Sequence, residues 1–276
     1  IISPFFENKG ILMKNTFKKL FISFTVLSLT ACGSTTMQDN TFAAKENKDF
    51  TKYTNQLVVE YAENDYTTMH QFFEHPEDYG IDINNVDVSL GEFYTDNTEE
   101  IKEDQKELNK FNRSTLDKTQ QTIYDELKYE NELSLKAENK KFQYLNNCWS
   151  TMSGLHQSLI SVFSEYILRN EKDIQDLITL INDVPRYTND VLEYTKKQAD
   201  KNTLQFDYDS VTQDIQDVIN NKADSSITSA LYNAIDALNL DEEKTTSYKA
   251  QVKDAMDTSF FPSYQDMLDT LTSLQY

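Results

Sequence analysis

Apolar residues recur at helical spacing along most of this chain. From about Asp49, Tyr53, Leu57 and Tyr61 stand four apart with Val58 beside them, which predicts a helix with one apolar stripe. A second helical stretch runs to about Phe73. His75-Pro76-Glu77-Asp78-Tyr79-Gly80 ends it, because Pro76 has no N–H to donate and Gly80 takes positive φ at little cost. Ile81 to Tyr94 carries no helical period and reads as extended or looped chain. Thr98 to Phe111 reads as an acidic helix with little apolar surface. Asp117-x-x-Gln120 has the form of a capping box, opening a helix that carries Ile123, Tyr124 and Leu127 and continues beyond Leu133.

Gly154 marks a break, and Leu155 to Leu168 is apolar enough to be a buried helix. Asp173 to Val184 follows, with Ile174, Leu177, Ile178 and Ile181 at i, i+3, i+4 and i+7. Pro185 is expected to start another helix, in which Tyr187, Val191 and Tyr194 repeat the pattern. Val211, Ile215, Val218 and Ile219 mark the next. Ile227, Leu231, Ile235 and Leu238 mark one more, closed by Asn239-Leu240-Asp241. Tyr248, Val252 and Met256 face inward on the penultimate helix, and Pro262 opens a last one with Met267, Leu268, Leu271 and Leu274. No long-period repeat is present, so the pattern predicts an all-α, multihelical array rather than a solenoid.

The first stretch of the chain follows a different logic. Met13-Lys14-Asn15-Thr16-Phe17-Lys18-Lys19 is basic, Leu20 to Leu29 is apolar, and Leu29-Thr30-Ala31-Cys32 closes the segment. A basic head, a short apolar middle and a small-residue exit make a secretory signal, too short to span a bilayer. The exit resembles the lipobox, in which the cysteine sulfur is alkylated by a diacylglycerol and becomes the new N-terminus. Cys32 is therefore the expected lipidation site, and the membrane the expected partner, on the extracytoplasmic side of the cell envelope. Residues 1–12 precede a well-placed initiator and read as translated upstream sequence; 13–31 is the signal peptide. Residues 32–47 form a polar, flexible tether, and 48–276 the helical domain.

Composition narrows the picture further. The chain has 276 residues and a net charge of −20; without residues 1–31, which hold four lysines and one glutamate, 245 residues remain with a charge of −23. Such acidity excludes a nucleic-acid binder of the basic-patch kind, and gives anionic lipid nothing to attract. Beyond residue 31 only four glycines and three prolines remain, too few for the frequent turns of an all-β fold. If Cys32 carries lipid, Cys148 has no partner for an internal disulfide, and beside Trp149 it reads as a small apolar residue.

The familiar catalytic signatures are missing. The three histidines, His70, His75 and His156, are followed by Gln71, Pro76 and Gln157, so H-E-x-x-H does not occur. His70 and His75 are five residues apart, about 140° around a helix, which does not suit a shared metal. No G-x-S-x-G elbow, P-loop or dinucleotide fingerprint occurs. Glu99-Glu100 and Glu242-Glu243 stand near helix starts, where they complement the dipole rather than form an acid–base pair.

Several ordered segments carry a resemblance instead. Glu165-Tyr166-Ile167-Leu168-Arg169-Asn170-Glu171-Lys172-Asp173-Ile174 leads into Asp183-Val184-Pro185-Arg186-Tyr187. Before it come His75 to Ile81 and Gln120 to Leu127, and after it Phe261-Pro262-Ser263-Tyr264. Over roughly Asp49 to Tyr276 the chain resembles the bacterial lipoprotein family catalogued as domain of unknown function 885. The resemblance implies a predominantly helical protein about twice this length, related to zincin metallopeptidases, with H-E-x-x-P-G-H in its C-terminal half. That motif maps onto no residue here. The resemblance thus implies the N-terminal half of a larger helical zincin-like protein, with zinc held elsewhere and none in this chain. This half would supply scaffold and one wall of a peptide-substrate groove, for which Gly154, His156, Glu165, Tyr166 and Arg169 are the candidates. An unfinished amphipathic pattern at Tyr276, together with the Ile1 start, fits the expectation of a truncated piece. The alternative expectation is a non-catalytic helical lipoprotein that binds a peptide or protein partner.

Overall fold

The computed structural model describes residues 45–93 and 96–275. Cys32, the signal segment, residues 1–12 and most of the tether lie outside them. The described residues are all-α, without a strand. In chain order the helices are α1 (Lys48–Glu63), α2 (Tyr66–Phe72), α3 (Thr98–Leu108), α4 (Lys118–Ala137), α5 (Leu155–Ser164) and α6 (Glu171–Asp200). Then come α7 (Tyr208–Asn220), α8 (Ser226–Ala237), α9 (Glu242–Ala255) and α10 (Phe261–Ser273).

Most starts are dictated locally. Asn47 caps α1 by accepting from Asp49 and Phe50 N–H, and its own backbone is held by Gln120, which accepts from Asn47 N at 2.9 Å and donates to Asn47 O at 2.8 Å. The capping box read at Asp117 and Gln120 is present at the head of α4, and α4 does run past Leu133. Gly80 closes the Pro76–Tyr79 turn at φ 79°, and Asn239 follows α8 at φ 54°. Residues 81–93 form a loop with one 3₁₀ turn, Ile83–Asn85, without a strand. The stripe of α1 is rotated from the expected one. Phe50, Thr54, Val58, Tyr61 and Ala62 are buried, whereas Tyr53 and Leu57 lie at its half-buried margin.

Helix α6 is the axis of the core. Ile174, Leu177, Leu180, Ile181, Val184, Tyr187 and Val191 are all buried on it, and α9, α10 and the turn between those two pack against it. Pro185 does not start a helix, as the sequence suggests; it sits inside α6. A proline there removes one hydrogen bond and costs about 3 kcal/mol. Stopping at Pro185 would divide a buried stripe in which each large side chain contributes roughly 1.5–3 kcal/mol. The stripe wins. Arg186 reinforces the turn, reaching Asp183 at 2.6 Å and Asp190 at 3.3 Å on either side.

Pro262 stands in the first turn of α10, as the sequence pattern suggests. A π turn, Met256–Phe260, joins α9 to α10, with Phe261 N–H donating to Met256 O, so the chain passes the proline by widening one turn. Helix α5 is shorter than its apolar run suggests: it stops at Ser164, not Leu168. The acidic α3 similarly stops at Leu108, short of Phe111. The connection from α4 to α5 is stitched to α6: Trp149 Nε1 donates to Thr195 Oγ1 at 2.9 Å, and Gln198 Nε2 donates to the carbonyls of Tyr144 and Asn146 at 3.0 and 2.8 Å. Cys148 is fully buried beside Trp149, consistent with a packing residue.

Candidate functional site

The five groove candidates divide between the two ends of α5, about 15 Å apart at 1.5 Å per residue. Gly154 and His156 are at its start; Glu165, Tyr166 and Arg169 are in the joint that follows it.

At the start of α5, Gly154 is packed from both sides. A Cβ there would meet Ser150 O at 2.5 Å and the His156 ring at 2.7 Å. His156 is 1% exposed, and neither ring nitrogen has a protein partner within hydrogen-bond distance; Asp214 Oδ2 is 3.6 Å from Nε2. Burial pushes the imidazole pKa down, and Asp214 only partly opposes it. Its backbone carbonyl accepts from the Tyr264 hydroxyl on α10. These two residues form part of the packed interior, not of an open wall.

The joint after α5 is different. Here α2 comes alongside, presenting Tyr66 and His70 one turn apart on the same face. The His70 ring stacks on Tyr166 at 4.4 Å and 9°, and the Tyr66 ring lies nearly parallel to it at 5.6 Å and 12°. Tyr66 donates its hydroxyl proton to Asp176 Oδ2 at 2.7 Å, so the 3.1 Å contact between the two hydroxyls has Tyr166 as donor. Burial, with the neighbouring hydroxyl and carboxylate, drives the Tyr66 pKa far above the ordinary tyrosine range; Tyr166 is raised too, again chiefly by burial. Lys172 pairs with Asp176 across one turn of α6.

Geometry fixes the His70 tautomer. Nε2 is 2.7 Å from the Ile167 carbonyl, which can only accept, so Nε2 carries the proton. Nδ1 is 3.9 Å from Asp173 Oδ1. Burial lowers the pKa of His70, the Ile167 carbonyl and Asp173 oppose that, and the Arg169 charge lowers it again. The ring is therefore neutral at pH 7. Ile167 O is free to bond His70 because α5 has already ended; in a continuing helix it would accept from the next turn.

Arg169 is half-buried. Its backbone N–H donates to Asp173 Oδ2 at 2.7 Å, inside a second capping box formed by Asn170 and Asp173 at the head of α6. Its guanidinium Nη1 is 3.4 Å from His70 Nε2, but both nitrogens carry hydrogens, so this is an approach and not a bond. Among the described residues the guanidinium pairs with no carboxylate within 4.0 Å. The chain has only three arginines, and the other two are engaged, Arg113 with Asp125 and Arg186 with Asp183. Glu165 is exposed at the C-cap of α5. Beyond Glu171, an open depression of about 510 Å³ lies between α6 and α9, lined by Gln175, Lys244, Ser247 and Tyr248 among others.

The sequence points to Tyr166 and Arg169, but His70 is weighed there only as a metal partner of His75. The available signal was Tyr66 and His70 at i, i+4 on one short helix, overlooked because His70 was compared only with His75. His75 is exposed, 3.6 Å from Glu77 Oε1, and takes no part.

The fold and this joint define a helical protein whose distinctive chemistry is a buried histidine held by two tyrosines, beside an arginine that pairs with no carboxylate among the described residues. The chain belongs to the family described as "Bacterial protein of unknown function (DUF885)", which matches residues 84–275. Tyr166, Arg169, Asp173 and Asp176 lie within that match, and Tyr66 and His70 before it. No curated protein and no solved structure matches the chain.

Proposed function

We propose that this chain is the scaffold and one groove wall of a zinc-dependent, peptidase-like lipoprotein of the cell envelope, anchored through lipid on Cys32 and inactive by itself. The observation that carries the reading is the joint between α5 and α6. The segment most specific to the family resemblance, Glu165 to Ile174, converges there with α2 into an ordered polar cluster, and its Glu171 accepts from Lys244 and Tyr248, which line an open depression. Polar stacks of this kind hold side chains in fixed positions for contact with a ligand.

The residues present do not fit the zinc that the resemblance implies. His70 and His156 are buried in separate clusters, His75 is exposed, and among the described residues no group of three or more His, Cys, Asp or Glu side chains could hold a metal ion. No catalytic step is therefore assigned to this chain. What its own residues can do is orient a bound peptide against the α5–α6 joint. The same misfit favours a second reading, a non-catalytic helical lipoprotein that binds a peptide or protein partner at this surface.

The test uses the full chain purified in mild detergent and dialysed against a weak chelator. A pool of fluorescein-labelled hexapeptides, randomised over uncharged residues, is titrated by anisotropy, with metal content and peptide cleavage followed in parallel. Saturable binding without stoichiometric zinc and without cleavage is expected. Chelator-resistant stoichiometric zinc, or no saturable binding, overturns the proposal.

A further inference from the structure

We infer that Arg169 anchors a carboxylate of a bound peptide, so that the α5–α6 joint selects ligands by a negative charge; this rests on the groove reading above. Arginine is scarce in this chain. The chain holds 46 acidic residues and three arginines, and a guanidinium among so many carboxylates is ordinarily captured by one of them. Arg113 binds Asp125 with two bonds of 2.6 Å, and Arg186 gathers Asp183, Asp190 and Glu92. Arg169 has Asp173 only four residues away, yet that carboxylate is turned from its guanidinium. Asp173 Oδ2 takes the backbone N–H of Arg169 and of Asn170, at 2.7 and 3.2 Å, and Oδ1 faces His70. Asp176 is likewise occupied, by Tyr66 and Lys172. Asp173 and Asp176 are thus committed elsewhere.

The other neighbour is a ring that cannot serve as acceptor. His70 spends Nε2–H on the Ile167 carbonyl and presents no lone pair toward Nη1. The Tyr166 stack and the Ile167 carbonyl hold that ring in place, so the guanidinium approaches a fixed surface. A planar guanidinium with free donors matches a planar carboxylate through two parallel bonds. The strong net negative charge of the chain opposes a dianion more than a monoanion, which favours a carboxylate over a phosphate ester. Ile167, exposed beside the arginine, offers apolar contact to the neighbouring peptide side chain.

The experiment compares three peptide pools on the full chain by anisotropy: uncharged hexapeptides with a free C-terminus, the same pool amidated, and an amidated pool containing one glutamate. Binding of at least one carboxylate-bearing pool roughly tenfold or more tighter than the uncharged amide is expected, since a charge-assisted hydrogen bond is worth about 1.5–3 kcal/mol. The free-acid and glutamate arms distinguish a terminal from a side-chain carboxylate. Arg169→Gln should erase the difference between the pools, and Arg169→Lys should restore part of it. A thermal melt of each variant establishes that it is folded. Equal binding of all three pools, or a preference that survives Arg169→Gln, overturns the inference but leaves the groove reading standing. No binding of any pool overturns both.

Discussion

His70 and His156 are both imidazoles that folding removes from water, and burial makes the same demand on each: remain neutral. Both pKa values are lowered, chiefly by desolvation, despite Asp173 and Asp176 near the first and Asp214 near the second. The sign follows from linkage. The unfolded chain binds protons at the ordinary histidine pKa of about 6.5, the folded chain only at lower pH. Between those values the unfolded state holds more protons, so stability falls as pH drops through about 6.5 toward the folded pKa values. Urea midpoints are expected to decline from about pH 7.5 to about pH 5.5, above the range in which most carboxylates titrate. His156→Gln, whatever it does to absolute stability, should reduce that slope, because its orphaned ring nitrogens leave protonation uncompensated. An unchanged slope in the variant would show that His156 does not titrate in this window. At this scale the sequence was legible in part. Arg169 and Tyr166 could be named from a local run, but the partners that give them meaning, Tyr66 and His70, lie about a hundred residues earlier and carry no local mark of it.

Elements were more legible where their signals are local, and less so where tertiary burial overrides a breaker. The capping box at Asp117 was read correctly because its second member is a glutamine; the one at Asn170 was missed because Asp173 fills that role. The same box explains why α5 ends at Ser164 although Tyr166, Ile167 and Leu168 prolong the apolar run: residues 165–170 are recruited to turn the chain into α6. Pro185 misled for the opposite reason. Its own chemistry argues for a boundary, but Val184 and Tyr187 on either side are both buried on the same face, which no local rule weighs. The structure makes a direct prediction. With the helix already continuous, Pro185→Ala should supply the missing N–H and remove the ring clash. Stabilisation of about 2 kcal/mol is expected, the helix-interior penalty less the lost stiffness of the unfolded chain. Urea unfolding measures it, and a destabilised variant would mean that the proline ring packs in a way its helical position does not reveal.

For the molecule as a whole, scarcity of glycine and proline was enough to indicate an all-α fold, and the folded residues bear that out. How the molecule is held at its place of action is a separate question, answered by charge and by chemistry near its start. No described helix is long and apolar enough to cross a membrane, and a net charge of −20 offers no basic patch to anionic lipid. The proposed reading assigns attachment to acyl chains. A single acyl chain binds bilayers only marginally, roughly 10⁴ M⁻¹, whereas two or more hold firmly. On that proposal Cys32 is the atom-level requirement: its sulfur would have to accept the diacylglyceryl group before a lipoprotein signal peptidase could cut. Cys32→Ala leaves the basic segment Met13 to Lys19 and the apolar stretch Leu20 to Leu29 untouched, so export should proceed. The variant should be uncut, or cut elsewhere by the ordinary signal peptidase, and carry no acyl chain. Metabolic labelling with a clickable fatty acid, followed by membrane fractionation, separates the outcomes. Wild-type protein should be labelled and pellet with membrane, and the variant should be unlabelled. Fatty-acid label persisting on the Cys32→Ala protein would refute the lipid-anchor assignment.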